Sequence, residues 1–170
     1  RGGCASSRPE FIVVYGPTGA GKTTVVNALA ARVPPHERIV TIEDVAELQL
    51  PGEHTVRLEA RPGAADGVGR VEMRDLVRAA LRLRPDRIIV GEVRGAEAAG
   101  MVWALSAGPR GGVSTCHSGD APDALARLET MCLLGNGAVP HRAVRAQVLA
   151  AVDVLVGVAR AADGQRRITG

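Results

Sequence analysis

The chain has 170 residues, of which 46% are hydrophobic and 23% charged, so it is long enough for one domain with a sizeable core. Its net charge is +3 and it has one Trp, one Tyr and one Phe, which argues against a protein that stacks on single-stranded nucleic acid. No apolar run approaches the roughly 20 residues of a membrane-spanning helix. We therefore expect one soluble α/β domain.

Cysteine usage excludes two further classes of protein. Cys4, Cys116 and Cys132 form no C-x-x-C pair, which argues against a disulfide framework and against a zinc ribbon. We expect Cys116 and Cys132 to fill apolar space and the protein to occupy a reducing cytosol.

Strand and helix patterns alternate along the chain. Residues 1–10 are small and polar and are predicted to form a linker, and the remaining segments are classified by hydrophobic period and by Gly and Pro boundaries. The predicted elements are, in chain order, strand 11–15, helix 23–32, strand 38–42, strand 55–58, helix 75–83, strand 87–90, helix 96–107, strand 113–116, helix 122–134, helix 139–150, strand 152–158 and strand 166–169. This order predicts a mainly parallel sheet flanked by helices, in which the loops after four strands share one edge.

The loop after the first strand matches a phosphate-binding pattern. Gly16-Pro-Thr-Gly-Ala-Gly-Lys22-Thr23 fits G-x-x-x-x-G-K-S/T and lies between a predicted strand and a predicted helix. Lys22 is the only lysine among 21 basic residues, which indicates a position that needs a compact ammonium, here between the β- and γ-phosphates. We expect the Thr23 hydroxyl to bind Mg²⁺. The predicted nucleotide-binding residues are Gly16, Pro17, Thr18, Gly19, Ala20, Gly21, Lys22, Thr23 and Thr24.

Acidic residues follow two other strands at the same predicted edge. Glu43, Asp44 and Glu47 come after strand 38–42, where they either orient a water and hold Mg²⁺ through its hydration shell or complement the dipole of a helix start. Glu92 follows strand 87–90, where a carboxylate is the usual partner of a phosphate loop. Because Glu is longer than Asp, we assign Glu92 to water activation and to a water-mediated contact with Mg²⁺.

A histidine ends the strand at 113–116. His117 is suited either to donate to a γ-phosphate and sense its loss or to a structural role, and the spacing alone does not separate these readings.

Four segments in this order resemble the boxes of the secretion ATPase superfamily, the hexameric motors of type II and type IV secretion and of type IV pili. They are the phosphate loop, Thr41-Ile-Glu43-Asp44-Val-Ala-Glu47-Leu, Arg87-Ile-Ile-Val-Gly-Glu92-Val-Arg94 and Ser114-Thr-Cys-His117. Leu48-Gln-Leu-Pro and Arg127-Leu-Glu-Thr-Met are among the segments that most resemble the tight-adherence pilus branch.

The resemblance implies a fold of the RecA-like P-loop NTPase type and roles for further residues. Glu43 corresponds to the catalytic carboxylate of the Asp box and His117 to the γ-phosphate sensor, and the resemblance leaves open whether Glu43 or Glu92 is the general base. Arg57 and Arg74, and next Arg78, resemble arginines that act on the nucleotide of a neighbouring subunit.

The resemblance also implies the setting of the protein. We expect ATP and Mg²⁺ as ligands, a homo-hexamer, inner-membrane secretion or pilus platform proteins as partners, and a cytoplasmic location at the inner face of the membrane. Residues 11–170 correspond to the motor domain, and the family's N-terminal domain is expected to be absent. Nucleic acid is not expected as a direct ligand.

Two other functions are also compatible with the sequence. A P-loop kinase for a small molecule would need an arginine-rich lid and an acceptor pocket. A nucleotide-binding subunit that does not hydrolyse ATP would serve as an assembly platform.

Overall fold

A seven-stranded sheet lies at the centre of the computed structural model, which describes residues 10–50, 52–64, 67–107, 109, 111–135 and 137–170. Five helices pack against this sheet in the described part of the chain. The elements are β1 (Glu10–Gly16), α1 (Lys22–Ala30), β2 (Ile39–Glu43), β3 (Thr55–Glu59), α2 (Met73–Arg82), β4 (Arg87–Val90), α3 (Glu97–Ala107), β5 (Gly111–His117), α4 (Ala121–Gly135), α5 (His141–Ala151), β6 (Val154–Arg160) and β7 (Arg166–Ile168). Each predicted element is therefore confirmed in type and order.

The strand order is β3-β2-β4-β5-β1-β6-β7. The first six strands pair in parallel, and β7 pairs antiparallel with β6. The prediction of a mainly parallel sheet is thus confirmed. Because parallel strands end at one edge, the loops after β1, β2, β4 and β5 lie together there.

Two hydrophobic clusters cover the two faces of the sheet. Side chains alternate along each strand, so Val13 of β1 belongs to the cluster that α2, α3, α4 and α5 complete, whereas Val14 belongs to the cluster that contains α1. Ile88 and Ile89 of β4 divide in the same way. Near-continuous apolar strands are what a sheet covered on both faces requires.

Several element boundaries differ from the predicted ones for local reasons. Helix α2 begins at Met73 because Glu72 and Asp75 form a capping box, in which each side chain accepts a hydrogen bond from the other residue's backbone. Strand β5 extends from Gly111 to His117 because it pairs with β1 along its whole length. Residues 1–9 of the predicted linker lie outside the described residues, and Glu10 is the first residue of β1.

Within the described residues, no helix combines the length and the apolar character needed to cross a membrane.

Two buried thiols confirm the expectation that Cys116 and Cys132 fill apolar space. Their side chains belong to the larger hydrophobic cluster, and burial raises the pKa of each thiol from 9.0 to about 11. Cys4 lies outside the described residues.

We expect the free energy of unfolding to fall as the pH rises from 9.0 to about 11. The unfolded chain releases the two thiol protons first, so alkali favours unfolding, by about 2 kcal/mol for each thiol. Urea unfolding at several pH values will measure this loss. The double variant Cys116→Ala and Cys132→Ala should lose less stability over the same range, and an unchanged slope in that variant would contradict the assignment.

Candidate nucleotide-binding site

The phosphate loop connects β1 directly to α1. Gly21 precedes the helix in a left-handed conformation, with φ of 100°, which is accessible to glycine at little cost. The Lys22 ammonium donates hydrogen bonds to the carbonyl oxygens of Gly16, at 2.9 Å, and Pro17, at 3.2 Å. The loop therefore curls around its lysine at a helix N-terminus, where backbone amides and the helix dipole favour an anion.

A cleft of about 380 Å³ lies beside this loop. Its wall comes from the segments that follow β1, β2 and β4, together with the carboxyl end of β5. The lining residues include Lys22, Thr23, Thr24, Glu43, Asp44, Glu47, Glu92, Arg94, Thr115 and Arg166. The predicted convergence in one cleft is confirmed for the segments after β1, β2 and β4, whereas His117 at the end of β5 does not line this cleft. Hydroxyl, ammonium and carboxylate groups in one cleft are a donor set that fits a polyphosphate together with Mg²⁺.

Glu43 is a buried carboxylate at the end of β2, with an exposed fraction of 3%. Its Oε1 atom accepts hydrogen bonds from the backbone amides of Glu47 and Leu48, both at 2.8 Å. No helix forms over residues 44–50, so the alternative in which this acidic cluster starts a helix is wrong. A Cβ atom on Gly91 would lie 3.1 Å from Glu43 Cγ, so the glycine after β4 leaves room for this side chain.

Glu92 lies on the cleft wall and is paired with an arginine. Its Oε2 atom accepts hydrogen bonds from Arg94 Nε at 3.0 Å and Arg94 Nη2 at 2.5 Å. These hydrogen bonds, with the negative charges of Glu92, Asp44 and Glu47, raise the pKa of the Arg94 guanidinium. Glu92 therefore forms an ion pair with Arg94. The sequence did not predict this pairing.

His117 lies at the end of β5, directly opposite Gly16 in the pairing with β1. Its Nδ1 atom is 3.3 Å from the Thr18 hydroxyl, within hydrogen-bond distance. The imidazole thus contacts the phosphate loop itself.

The predicted trans-acting arginines lie outside the cleft. Arg57 of β3 donates to the carbonyl oxygen of Leu50 at 3.2 Å, and Arg74 of α2 pairs with Glu72 at 2.8 Å. Arg78 is exposed on α2. These positions leave the three arginines without a role at this chain's own phosphate loop, and their action on a neighbour stays a prediction.

Arg166 is a cleft residue that the sequence analysis missed. It begins β7, far along the chain from the phosphate loop, and it lies beside Gly21. The pair Asp163-Gly164 between the last two strands, which is typical of a hairpin turn, is the one sequence signal that β7 returns beside β6.

Comparison with known proteins identifies the family. Residues 4–161 match the family described as type II/IV secretion system protein. The chain belongs to this family. It is 47% identical over 163 residues to a putative conjugal transfer protein of Mycobacterium tuberculosis, covering 96% of this chain and 46% of the relative. It is 44% identical over 162 residues to the type IV secretion system protein PtlH of Bordetella pertussis, covering 93% of this chain and 48% of PtlH.

Solved structures of secretion ATPases share the fold. The VirB11 ATPase of the Brucella suis type IV secretion system, in complex with sulphate, superposes with a TM-score of 0.84 and 36% identity, over 95% of this chain and 47% of that one. The pilus retraction motor PilT with bound ADP gives a TM-score of 0.68 and 25% identity, over 95% and 46% of the two chains. The RecA-like fold and the superfamily are confirmed, and the tight-adherence branch stays a prediction. The chain spans about half the length of the curated relatives it matches.

Proposed function

We propose that this chain is the Mg²⁺-dependent ATP-hydrolysing domain of a secretion or pilus-assembly motor. The observation that carries the proposal is the convergence of Lys22, Glu43 and Glu92 on one cleft at the carboxyl edge of the sheet. Membership of the type II/IV secretion system family and the likeness to the VirB11 ATPase support the same activity.

Different groups of the phosphate loop are proposed to bind the phosphates and the metal ion. The backbone amides of the loop from Gly16 to Thr24, except at Pro17, which has no N–H, and the Lys22 ammonium would bind the phosphates. The Thr23 hydroxyl and a water on Glu92 would hold Mg²⁺. When bound, Mg²⁺ offsets negative charge on the phosphates. His117 is proposed to sense the γ-phosphate by exchanging its contact with Thr18 for a contact with the nucleotide.

The two carboxylates are proposed to have different roles. Glu43 is held rigidly by two backbone amides on one oxygen, so its other oxygen is positioned to orient and deprotonate the attacking water. Glu92 is already paired with Arg94, which suits it better to the hydration shell of the metal than to proton abstraction.

The motor is proposed to act as a homo-hexamer in which Arg57 or Arg74 reaches the nucleotide of the next subunit. Such an arginine stabilises charge on the phosphates during hydrolysis. The partners of the motor would be inner-membrane platform proteins, and it would act at the cytoplasmic face of that membrane. Hydrolysis would drive the assembly of a pilus or the export of a macromolecule. The similarity to a conjugal transfer protein and to PtlH is consistent with a type IV system.

Phosphate release from ATP, measured against protein concentration, tests this proposal. We expect the rate per chain to rise with concentration, because the site is completed by a neighbour, and to vanish without Mg²⁺. If Arg74 is the arginine that acts in trans, the variants Lys22→Ala and Arg74→Ala should each be inactive alone. Mixing them should restore part of the activity, because some sites then combine an intact Lys22 with an intact Arg74 from the neighbour. The same experiment with Arg57→Ala in place of Arg74→Ala tests Arg57.

The alternatives give different results. ATP binding without phosphate release at any concentration would favour a non-hydrolysing assembly platform. Transfer of phosphate to an added nucleoside or sugar would favour a kinase.

A further inference from the structure

The hairpin formed by β6 and β7 packs against the phosphate loop. Strand β6 runs parallel to β1 and ends at the same edge of the sheet, and β7 returns from that edge with Arg166 opposite Arg160. A Cβ atom on Gly16 would lie 2.2 Å from the carbonyl oxygen of Val158, so hairpin and loop are in direct backbone contact. The first residue of β7 is thereby placed over the start of α1.

The Arg166 side chain extends across the phosphate loop. A Cβ atom on Gly21 would lie 2.7 Å from Arg166 Cδ and 3.4 Å from its Nε, so the arginine occupies the space that a side chain at position 21 would fill. Arg166 lines the cleft together with Lys22, Thr23 and Thr24. The cleft therefore presents a second cation beside the lysine of the loop.

The neighbouring arginine of β7 differs in its surroundings. Arg167 points to the other side of the strand and pairs with Asp163 at 2.5 Å. None of the ion pairs between described residues includes Arg166, whose charge is available to a ligand in the cleft. A guanidinium can donate two parallel hydrogen bonds to a phosphate, which an ammonium cannot.

We propose that Arg166 binds the α- and β-phosphates of the nucleotide held by its own chain. This inference rests on the proposed nucleotide site. The loop amides next to Arg166 are those that cradle the α- and β-phosphates in this type of loop, whereas Glu43 and Glu92 line the cleft as the carboxylates proposed to act at the γ-phosphate. Because these two phosphates are present in both ATP and ADP, the contact contributes equally to binding both, and it leaves the chemical step unchanged.

Calorimetric titration of the full chain with ATP, ADP and inorganic pyrophosphate tests the assignment. Arg166→Ala should weaken all three by about 10- to 100-fold, the loss of a hydrogen-bonded charge pair, and raise KM without changing kcat. Arg166→Lys should recover part of the affinity. Arg167→Ala removes a charge from the same strand on its other side and is the matched control, with affinities within about twofold of the unsubstituted protein.

Three results would overturn the assignment. The first is full affinity of Arg166→Ala for ATP and ADP. The second is lower affinity for the nucleotides with unchanged affinity for pyrophosphate, which would place the guanidinium on the base or ribose. The third is a lower kcat with ADP affinity intact. Thermal melting of each variant separates these losses from unfolding. If the unsubstituted chain binds no nucleotide, the proposed function fails and the inference fails with it, whereas binding by the unsubstituted chain and by Arg166→Ala alike refutes the inference alone.

Discussion

Lys22→Ala is expected to reduce ATP affinity by at least about 100-fold and to abolish phosphate release, because it removes the cation at the centre of the phosphate loop. The ammonium lies at the first residue of α1, within hydrogen-bond distance of the Gly16 and Pro17 carbonyls. No other residue of the loop from Gly16 to Thr24 carries a charged side chain that could replace it. Titration with ATP and a phosphate-release assay measure the two losses.

Lys22→Arg distinguishes the need for a compact cation from the need for positive charge. The ammonium fits between two carbonyls of one tight turn, and a planar guanidinium is too wide for that space. We expect this variant to be as inactive as Lys22→Ala, although arginine is otherwise the basic residue of this chain. Arg32→Ala, which removes an exposed charge just after α1, is the control and should behave as the unsubstituted protein. Normal activity in Lys22→Arg would contradict the role given to the ammonium.

Glu43→Gln is expected to lower kcat by about 10²- to 10⁴-fold while ATP still binds, because the amide cannot accept a proton from water. Glutamine keeps an oxygen in the place of Oε1, so it can still accept the hydrogen bonds of Glu47 and Leu48. The segment after β2 should therefore keep its conformation, which thermal melting and circular dichroism will check. Steady-state hydrolysis and ATP titration then separate the chemical step from binding.

Glu92→Gln provides the matched comparison at the other carboxylate. We expect it to raise the Mg²⁺ concentration needed for half-maximal activity severalfold, since Glu92 is proposed to hold the metal through water. Glu43→Gln should leave that concentration unchanged. If instead Glu92→Gln abolished turnover at every Mg²⁺ concentration and Glu43→Gln retained it, the two roles would be exchanged.

The sequence was sufficient to predict the elements of the fold and most residues that line the candidate cleft. Apolar, β-branched runs bounded by glycine or acidic residues marked the buried strands, and the phosphate loop, Glu43, Glu92 and His117 each followed one of them. Since parallel strands end at one edge, the order of the elements was enough to predict that the phosphate loop, Glu43 and Glu92 meet there. The sequence predicted element boundaries less accurately. Strand β5, for example, extends to His117 because it pairs with β1, and this pairing is not visible in the local sequence.

Contacts between distant parts of the chain were decided by the tertiary structure alone. The two backbone amides on Glu43 exist because residues 44–48 turn back over β2 and do not form a helix. Arg166 reaches Gly21 because β6 lies beside β1 and the hairpin brings β7 to the same edge. Periodicity and motif spacing describe neighbours along the chain, whereas a contact between residues 21 and 166 depends on strand order and on close packing, which no local pattern encodes.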